Sequence, residues 1–512
     1  MTLPKLNASL LPGLSSKATA NQHIPTAGML QLPEKVLQFG TGVLLRGLPD
    51  FFIDQANRQG VFNGRIVVVK STDSGSADVF GEQDGLYTLS ISGIEKGKAV
   101  EEYIVNASIS RTLSAKANWS EILACATEAE MQVVISNTTE VGIQLMDDNI
   151  FGQPPTSFPG KLTAFLYERF KAFNGAAASG MVIVPCELIV DNGRKLKEIV
   201  LELAKQNQLS ADFTHWLTQH NTFCNSLVDR IVPGKPDEGT AQKVFQKLGY
   251  TDELLTTSEV YHLWAIEGDA KVKEVLSFEK ADSGVVIATD ITPYRERKLR
   301  LLNGTHTISV ALGYLYGLET VGECMNNAHL SKFITNVAHT EIAPAVPVDE
   351  ASCLTFADEV LDRFRNPSIV HLLINITLQY TSKMKMRNIQ TLLNYYQKFG
   401  SAPAHLSLGF AAYLLFMKGV KEEGGKFFGE RNGENYPIND DFAGHFYQKW
   451  QGTDLNNIPG FVKVVLADQQ VWGTNLSALP GFAETVAGYL ADLMQKGVKP
   501  TVEKFLAEKV PA

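Results

Sequence analysis

The sequence predicts a chain of two classes in succession, an α/β part built on a doubly wound parallel sheet and then a mostly helical part. Three observations predict it. Short apolar, β-branched runs alternate with helical spacing as far as about residue 290. Beyond Tyr294 the pattern turns into long helical periods separated by loops rich in Gly, Asn and Pro. The length of 512 residues also exceeds one ordinary core, so two domains are expected.

The elements follow in order. Residues 1 to about 33 carry Pro, Ser, Gly and Asn without clear periodicity and read as an extended arm or loop. KVLQFGTG is a short strand running into glycines, and VLLRGLPDFFIDQANRQG then takes helical spacing interrupted at Pro49. GRIVVVKSTDSG is a second strand ending in turn residues. LYTLSISG, EEYIVNASISR, MQVVISNTTE and MVIVPCELIV are further strands, with helices such as NWSEILACATEAE and KLTAFLYERFKAF between the last of them. A strand at SGVVIATD, residues 283–290, closes the series. Apolar strands alternating with helices form a parallel sheet covered on both faces. The α/β domain is therefore assigned to 34–290 and the helical domain to 291–512. In the latter, TISVALGYLYGL, IVHLLINITLQY and LSLGFAAYLLFMKGV are helical, the last two apolar enough to be buried.

Composition narrows the class of function. Apolar residues make up 45% and charged residues 20%, ordinary for a soluble globular chain. The net charge of −9 argues against a nucleic-acid partner but leaves room for a local basic pocket. The five cysteines, Cys125, Cys186, Cys224, Cys324 and Cys353, form no CxxC pair, which suits buried thiols in a reducing compartment. There is no HExxH string, and His215 and His220 lack metal-ligand spacing, so no metal site is expected. No apolar run reaches 18 residues and the N-terminus lacks the apolar core of a signal peptide. The expectation is a cytoplasmic protein without a membrane partner.

Two strings carry chemistry. In FGTGVLLRG, Gly40 and Gly42 directly follow the first strand and open a helix. A tight turn and close approach to a pyrophosphate call for glycine there, and the helix start offers N–H donors to an anion. Leu45 stands where a third glycine is usual. The same spacing also occurs in ordinary turns, so the string alone leaves both readings open. The second strand ends in Lys70, with Asp73 three residues on. Asp73 is placed to accept a ribose hydroxyl of NAD, Lys70 to favour the extra phosphate of NADP, and the residues leave the two open.

The second string is YRERKLRLLNGTHTISV. Lys298, Asn303 and His306 project at about 0°, 140° and 80° on an α-helical wheel, one side of a helix. A ketone reductase needs a proton donor at the carbonyl oxygen and neutral donors to polarise it. A lysine of lowered pKa can be the first, an amide and an imidazole the second. The competing reading is a solvated basic helix start, supported by Arg295, Arg297 and Arg300.

Together these residues resemble the mannitol dehydrogenase family of polyol-specific long-chain dehydrogenases. KLRLLNGTH resembles its Lys-x-x-x-x-Asn-x-x-His signature. FGTGVLLRG is similar to its cofactor loop, with Leu44 at an aromatic position. NSLVDRIVP, CELIVDNG and RFRNP match further blocks in the same order. Strings such as NTTE, FCNSLVDRIVPG and GERNGENYP point to the branch that reduces the ketone of tagaturonate to altronate with NADH. Fructuronate and fructose are the alternative substrates, and a non-catalytic NAD(H)-binding sensor is the alternative class.

The resemblance implies a Rossmann-like first domain, NAD as cofactor, a sugar-acid substrate held between the domains, and metal-independent chemistry. It implies Lys298 as acid/base with Asn303 and His306 as oxygen ligands, and Asn192, Val228, Asp229 and Lys383 at the substrate. It implies a cofactor set of Gly40, Thr41, Gly42, Val43, Leu44, Arg46, Asp73, Asn137, Thr138, Thr139 and Glu140. For Asp229 the competing reading is a salt bridge to Arg230, and the matched block favours the substrate. One departure concerns the substrate pocket. Where the polyol enzymes carry Arg eight residues before the substrate lysine, this chain has Asn375. TSKMKMRN places Lys383, Lys385 and Arg387 nearby, cations that suit a carboxylate, although a basic run is more often a solvated helix face.

Overall fold

The computed structural model describes residues 3–70, 77–138, 142–454 and 456–507. It divides into two compact units, Met1–Ser92 with Ala99–Ile291, and Gly93–Lys98 with Thr292–Ala512.

The first unit is built on a six-stranded sheet. Its strands are β1 (Glu34–Phe39), β2 (Arg65–Lys70), β3 (Ile109–Ser114), β4 (Val133–Ser136), β5 (Val182–Pro185) and β6 (Thr222–Phe223), in the order β3-β2-β1-β4-β5-β6. Every pairing is parallel. The order reverses between β1 and β4, and ligands of such sheets gather beyond the strand ends at that point. Successive side chains alternate between two cores. Val36, Ile66, Val68, Val133 and Ile135 lie on one face. Leu37, Phe39, Val67, Val69 and Val134 lie on the other. Both faces are covered, which is why the strands are continuously apolar rather than alternating.

A second, three-stranded sheet follows, β7 (Ser226–Asp229), β8 (Leu263–Glu267) and β9 (Val285–Ala288), with β7 antiparallel and β9 parallel to β8. Two expectations change here. Residues 3–33 are not a free arm: Leu6, Leu11 and Met29 are buried with Tyr103 and Tyr250. Gln22–His23 also pairs with Tyr103 and Ile104 as a strand. Burial of scattered apolar side chains replaces the periodicity the segment lacks. EEYIVNASISR splits into two strands at Ala107, because Asn106 Oδ1 accepts from the Ser108 N–H at 2.9 Å and turns the chain.

The second unit is mainly helical. α1 (Thr292–Arg297) runs into a π-helical stretch, Lys298–Gly304, and then into α2 (Thr305–Tyr316). A second π-helical stretch, Val337–Ile342, precedes α3 (Glu350–Phe364), α4 (Leu373–Ile376) and α5 (Tyr380–Met384), and a further π-helical turn, Lys385–Ile389, follows. α6 (Ala404–Phe416) is apolar on all sides and buried almost throughout, packed against α2 and against α7 (Phe482–Gln495). An antiparallel sheet of Lys421–Glu423, Lys426–Arg431 and Glu434–Ile438 interrupts the helices. Its second turn is Asn432–Gly433, both at positive φ, as a two-residue hairpin requires.

IVHLLINITLQY does not form the expected buried helix. Only Leu373–Ile376 and the terminal Tyr380, which opens α5, are helical, Gln379 takes a left-handed backbone, and Val370 is 73% exposed. Leu372 and Leu378 are exposed as well. Val370, Leu372 and Ile376 border an opening, while Leu373 and Tyr380 are buried. Among the described residues, no helix is long and apolar enough to cross a membrane.

Candidate active site

In the first unit the candidate cofactor residues gather beyond β1 and β4. Gly40 ends β1 with φ +128°, and a Cβ there would stand 2.7 Å from the Asn137 carbonyl oxygen. No other residue type fits so close a crossing of the two strand ends. Gly42 precedes the short helix Val43–Gly47, is exposed, and has open space beside it. The N–H groups of Val43 and Leu44 meet no acceptor among the described residues. Free donors, an unobstructed backbone and a strand end suit a pyrophosphate, so these residues fit a dinucleotide. Leu45, in place of a third glycine, is wholly buried in the core.

Arg46 stands differently from its neighbours. It is buried, donates from Nη1 to the Thr41 carbonyl at 2.8 Å and from Nε to Thr256 Oγ1 at 3.1 Å. Its role in the loop is to brace Thr41. Asn137 donates to the Cys186 carbonyl at 2.7 Å, and Thr138 gives both its N–H and its hydroxyl to Glu187. Glu187 also accepts from Ser136 Oγ at 3.1 Å, and burial raises its pKa against these bonds. It clamps the end of β4, a role its sequence neighbourhood gave no hint of. Asp73, Thr139 and Glu140 lie outside the described residues.

Asn192 requires a correction. It is completely buried; Nδ2 lies 2.9 Å from the Pro185 carbonyl, 3.1 Å from that of Glu187 and 3.2 Å from that of Ser226. Its Oδ1 accepts from the Gly193 and Ser226 N–H groups, both at 2.9 Å. With every polar atom committed to backbone, it has no capacity left for a substrate oxygen; it joins the end of β5 to β7. Val228 and Asp229 lie on β7, both buried. Arg230 donates to the Glu259 and Gly47 carbonyls, at 3.0 and 2.7 Å, and lies over the Phe51 ring. All five cysteines are buried free thiols, with burial raising the pKa of Cys186 and pushing Cys224 up to about 12.

In the second unit, Lys298, Asn303 and His306 lie on one continuous helical run, but not on an α-helix. Lys298 opens the π-helical stretch and Asn303 lies near its end. Bonds of the i→i+5 type bring residues five apart one turn above each other. Lys298 and Asn303, about 140° apart on an α-helix, therefore fall near one face. Thr307 Oγ1 donates to the Asn303 carbonyl at 2.7 Å. His306 lies in the first turn of α2, stacked on Phe364 of α3 with 3.9 Å between centroids and 6° between planes. Part of the residue reaches the surface, but its Nε2 is buried and has no hydrogen-bond partner among the described residues.

His306 borders a cavity of about 310 Å³, lined also by His371, Asn375, Lys383 and Arg387, with Val370, Leu372 and Ile376. That is the size of a small-molecule site. Lys383 donates to the Ile376 carbonyl at 2.9 Å, and Arg387 Nη1 donates to Thr307 Oγ1 at 3.0 Å. Lys385 is exposed, with its side chain beside Gly473, and does not join them. Burial, then His371, Arg363 and Arg387, hold His306 well below the usual histidine range. Burial and Arg363 lower His371. Burial and Arg387 lower Lys383, against the pull of Asp440. Two neutral imidazoles and two cations thus share a cavity whose lining contains no carboxylate. His371, Phe364 and Thr307 were not singled out from sequence: Thr307 is the chain neighbour of His306, Phe364 lies within RFRNP, and the fold brings Phe364 and His371 to His306.

Among the described residues no cluster of His, Cys, Asp and Glu is placed to hold a metal ion. Two family models match the chain, the mannitol dehydrogenase Rossmann domain over residues 34–280 and the mannitol dehydrogenase C-terminal domain over residues 290–494. The altronate oxidoreductase of Halalkalibacterium halodurans is 40% identical over 483 residues, 93% of this chain and 94% of that protein. That of Bacillus subtilis is 39% identical over 478 residues, 93% and 96% of the two chains. Among solved structures, the chain is similar to the Pseudomonas fluorescens mannitol 2-dehydrogenase ternary complex with NAD and D-mannitol. The TM-score is 0.65 at 24% identity, over 98% of this chain and 100% of the other. A D-sorbitol dehydrogenase in substrate-free form gives a TM-score of 0.75 at 20% identity, over 97% and 100%.

Proposed function

Because this chain belongs to the mannitol dehydrogenase family, NAD-dependent oxidoreductases acting on CH–OH groups, we propose that it interconverts tagaturonate and altronate with NADH as reductant. The substrate assignment follows the relatives at about 40% identity that bear the name altronate oxidoreductase. The observation that carries the chemistry is His306, a neutral imidazole at the edge of a cavity whose buried Nε2 has no hydrogen-bond partner among the described residues. A neutral imidazole can donate a hydrogen bond to a carbonyl oxygen without competing for its proton.

The residues divide the work. The backbone at Gly42, Val43 and Leu44 binds the cofactor phosphates, and Arg46 and Glu187 keep the loops that carry them in place. NAD(H) supplies the hydride when bound. His306 and the Asn303 amide hold the substrate oxygen as charge grows on it. Lys298 gives that oxygen a proton in reduction and takes it back in oxidation. The π-helical stretch supports this reading, because it brings the lysine and the amide toward one face.

The test is NADH oxidation by the purified chain with tagaturonate, fructuronate and fructose, and NADPH in parallel. Tagaturonate with NADH is expected to give the highest kcat/KM. Preference for fructuronate or fructose would move the substrate assignment, and no NADH oxidation with any of the three would remove the reaction.

A further inference from the structure

No carboxylate is among the described residues that line the second unit's cavity, which are His306, His371, Asn375, Lys383 and Arg387 with three apolar residues; Asp440 acts on Lys383 from outside that lining. Arg387 is partly buried, and its side chain makes one hydrogen bond among the described residues, from Nη1 to Thr307 Oγ1. A guanidinium presents five N–H donors in a fork. With one spent on Thr307, a two-donor edge remains for a ligand. Placing a cation without a counter-charge in a cavity is unfavourable unless an anion completes it. Lys383, fixed by the Ile376 carbonyl, adds a second charge on the same wall.

We infer that Arg387 is the specificity-determining residue that binds the substrate's carboxylate, with Lys383 as the second cation. This deepens the proposed reaction and rests on it for the identity of the acid. Several observations converge on Arg387. The fork geometry of a guanidinium matches a carboxylate in bidentate fashion, which an ammonium does not. Lys385, two residues earlier, is turned toward Gly473, so the basic run resolves into two cations at the cavity, Lys383 and Arg387, and one outside it. Arg387 is also tied to the reacting end of the substrate. It donates to Thr307 Oγ1, Thr307 donates to the carbonyl of Asn303, and His306 adjoins Thr307 in α2. A carboxylate held by Arg387 is thereby registered against the oxygen-binding residues through two hydrogen bonds. The cavity volume of about 310 Å³ admits part or all of a six-carbon acid.

The experiment compares acid and neutral substrates of one carbon skeleton. For wild type, Arg387→Lys and Arg387→Met, kcat and KM are measured with tagaturonate and with tagatose, the ketose that lacks the carboxylate. Binding of altronate and of a neutral hexitol to the NAD-loaded chain is measured by calorimetry. Loss of a charge-assisted pair corresponds to on the order of 10- to 100-fold in affinity. Arg387→Met is expected to lower the acid-to-neutral ratio of kcat/KM by that factor, mostly through KM. Arg387→Lys should recover part of it, and altronate binding should weaken in the same order. A merely structural role would lower both substrates together and leave the ratio standing; that result overturns the inference. So does a wild type that binds altronate no better than the hexitol. Altronate binding that depends on Arg387, without turnover, would uphold the carboxylate site and sink the reaction instead. If Arg387→Met does not fold, the Arg387→Lys ratio decides alone, an unchanged ratio overturning the inference.

Discussion

The polar groups at the two candidate sites are used in opposite ways. In the first unit, Asn192, Arg46 and Glu187 are bonded to backbone or to neighbouring side chains. They shape strand ends, and what they leave exposed is main chain, at Gly42, Val43 and Leu44. In the second unit the polar groups around the cavity keep bonding capacity in reserve. Among the described residues His306 Nε2 has no hydrogen-bond partner, and the Arg387 side chain has one. Backbone donors suit a ligand whose phosphates are the same in every reaction, whereas side chains can be varied to select a substrate. The comparison can be broken by mutation. Changes in the first unit should register in stability, and changes in the second should register in turnover.

The largest effect is expected from Lys298→Ala. Removing a positioned acid/base group costs roughly 10²- to 10⁴-fold in kcat. NADH affinity, read by quenching of its fluorescence, should change by less than about threefold. If the same variant loses NADH binding along with turnover, Lys298 belongs to the folding of its unit and not to the proton transfer.

Gly40→Ala should act through the backbone. It forces a Cβ onto a residue at φ +128° and sets that atom 2.7 Å from the Asn137 carbonyl. Strain and overpacking of this kind cost about 2–4 kcal/mol. A urea titration should show the loss, with weaker NADH binding beside it. Asn192→Ala sharpens the same contrast at a smaller scale. It strips partners from buried backbone groups on β5 and β7, each worth about 1 kcal/mol or more. About 2–3 kcal/mol of stability should go, with KM for the sugar acid within twofold of wild type. A tenfold rise in KM at unchanged stability would return Asn192 to the substrate.

The parallel sheet was legible in the residues because β-branched runs such as IVVV and VVIS are buried on both faces, and continuous apolarity records that directly. The segment 3–33 was not, since its few apolar side chains are buried against Tyr103 and Tyr250, far away in sequence. IVHLLINITLQY misled for the converse reason: part of its apolarity borders an opening, and composition does not distinguish a core from a pocket rim. The hairpin at Asn432–Gly433 carried a readable turn signal inside a region taken as helical. At the site, the spacing of Lys298, Asn303 and His306 was legible but its geometry was not. Nothing in KLRLLNG distinguishes a π-helix from an α-helix, because the difference lies in hydrogen-bond register. Asn192, which the resemblance put at the substrate, opens a helix, and an asparagine there serves a ligand or the backbone equally well, so that only its surroundings decide.

The smallest predicted effect is on the acid side of stability. His306 and His371 both have lowered pKa values in the fold, with burial as the leading cause. Above the unfolded histidine value of about 6.5 both states hold them neutral and no dependence arises. Below it the unfolded chain takes up protons that the folded chain refuses, so stability falls as pH falls, by at most about 1.4 kcal/mol per pH unit for each histidine. The second unit's melting temperature should therefore decline from pH 6.5 to 5.5, and His306→Gln should flatten part of that decline. Arg46 and Asn192 variants of the first unit, which remove no histidine, should leave its slope intact. An equal slope in wild type and His306→Gln would mean that the imidazole finds a proton-stabilising partner in solution. Its Nε2 would then not be the idle donor on which the contrast between the two units depends.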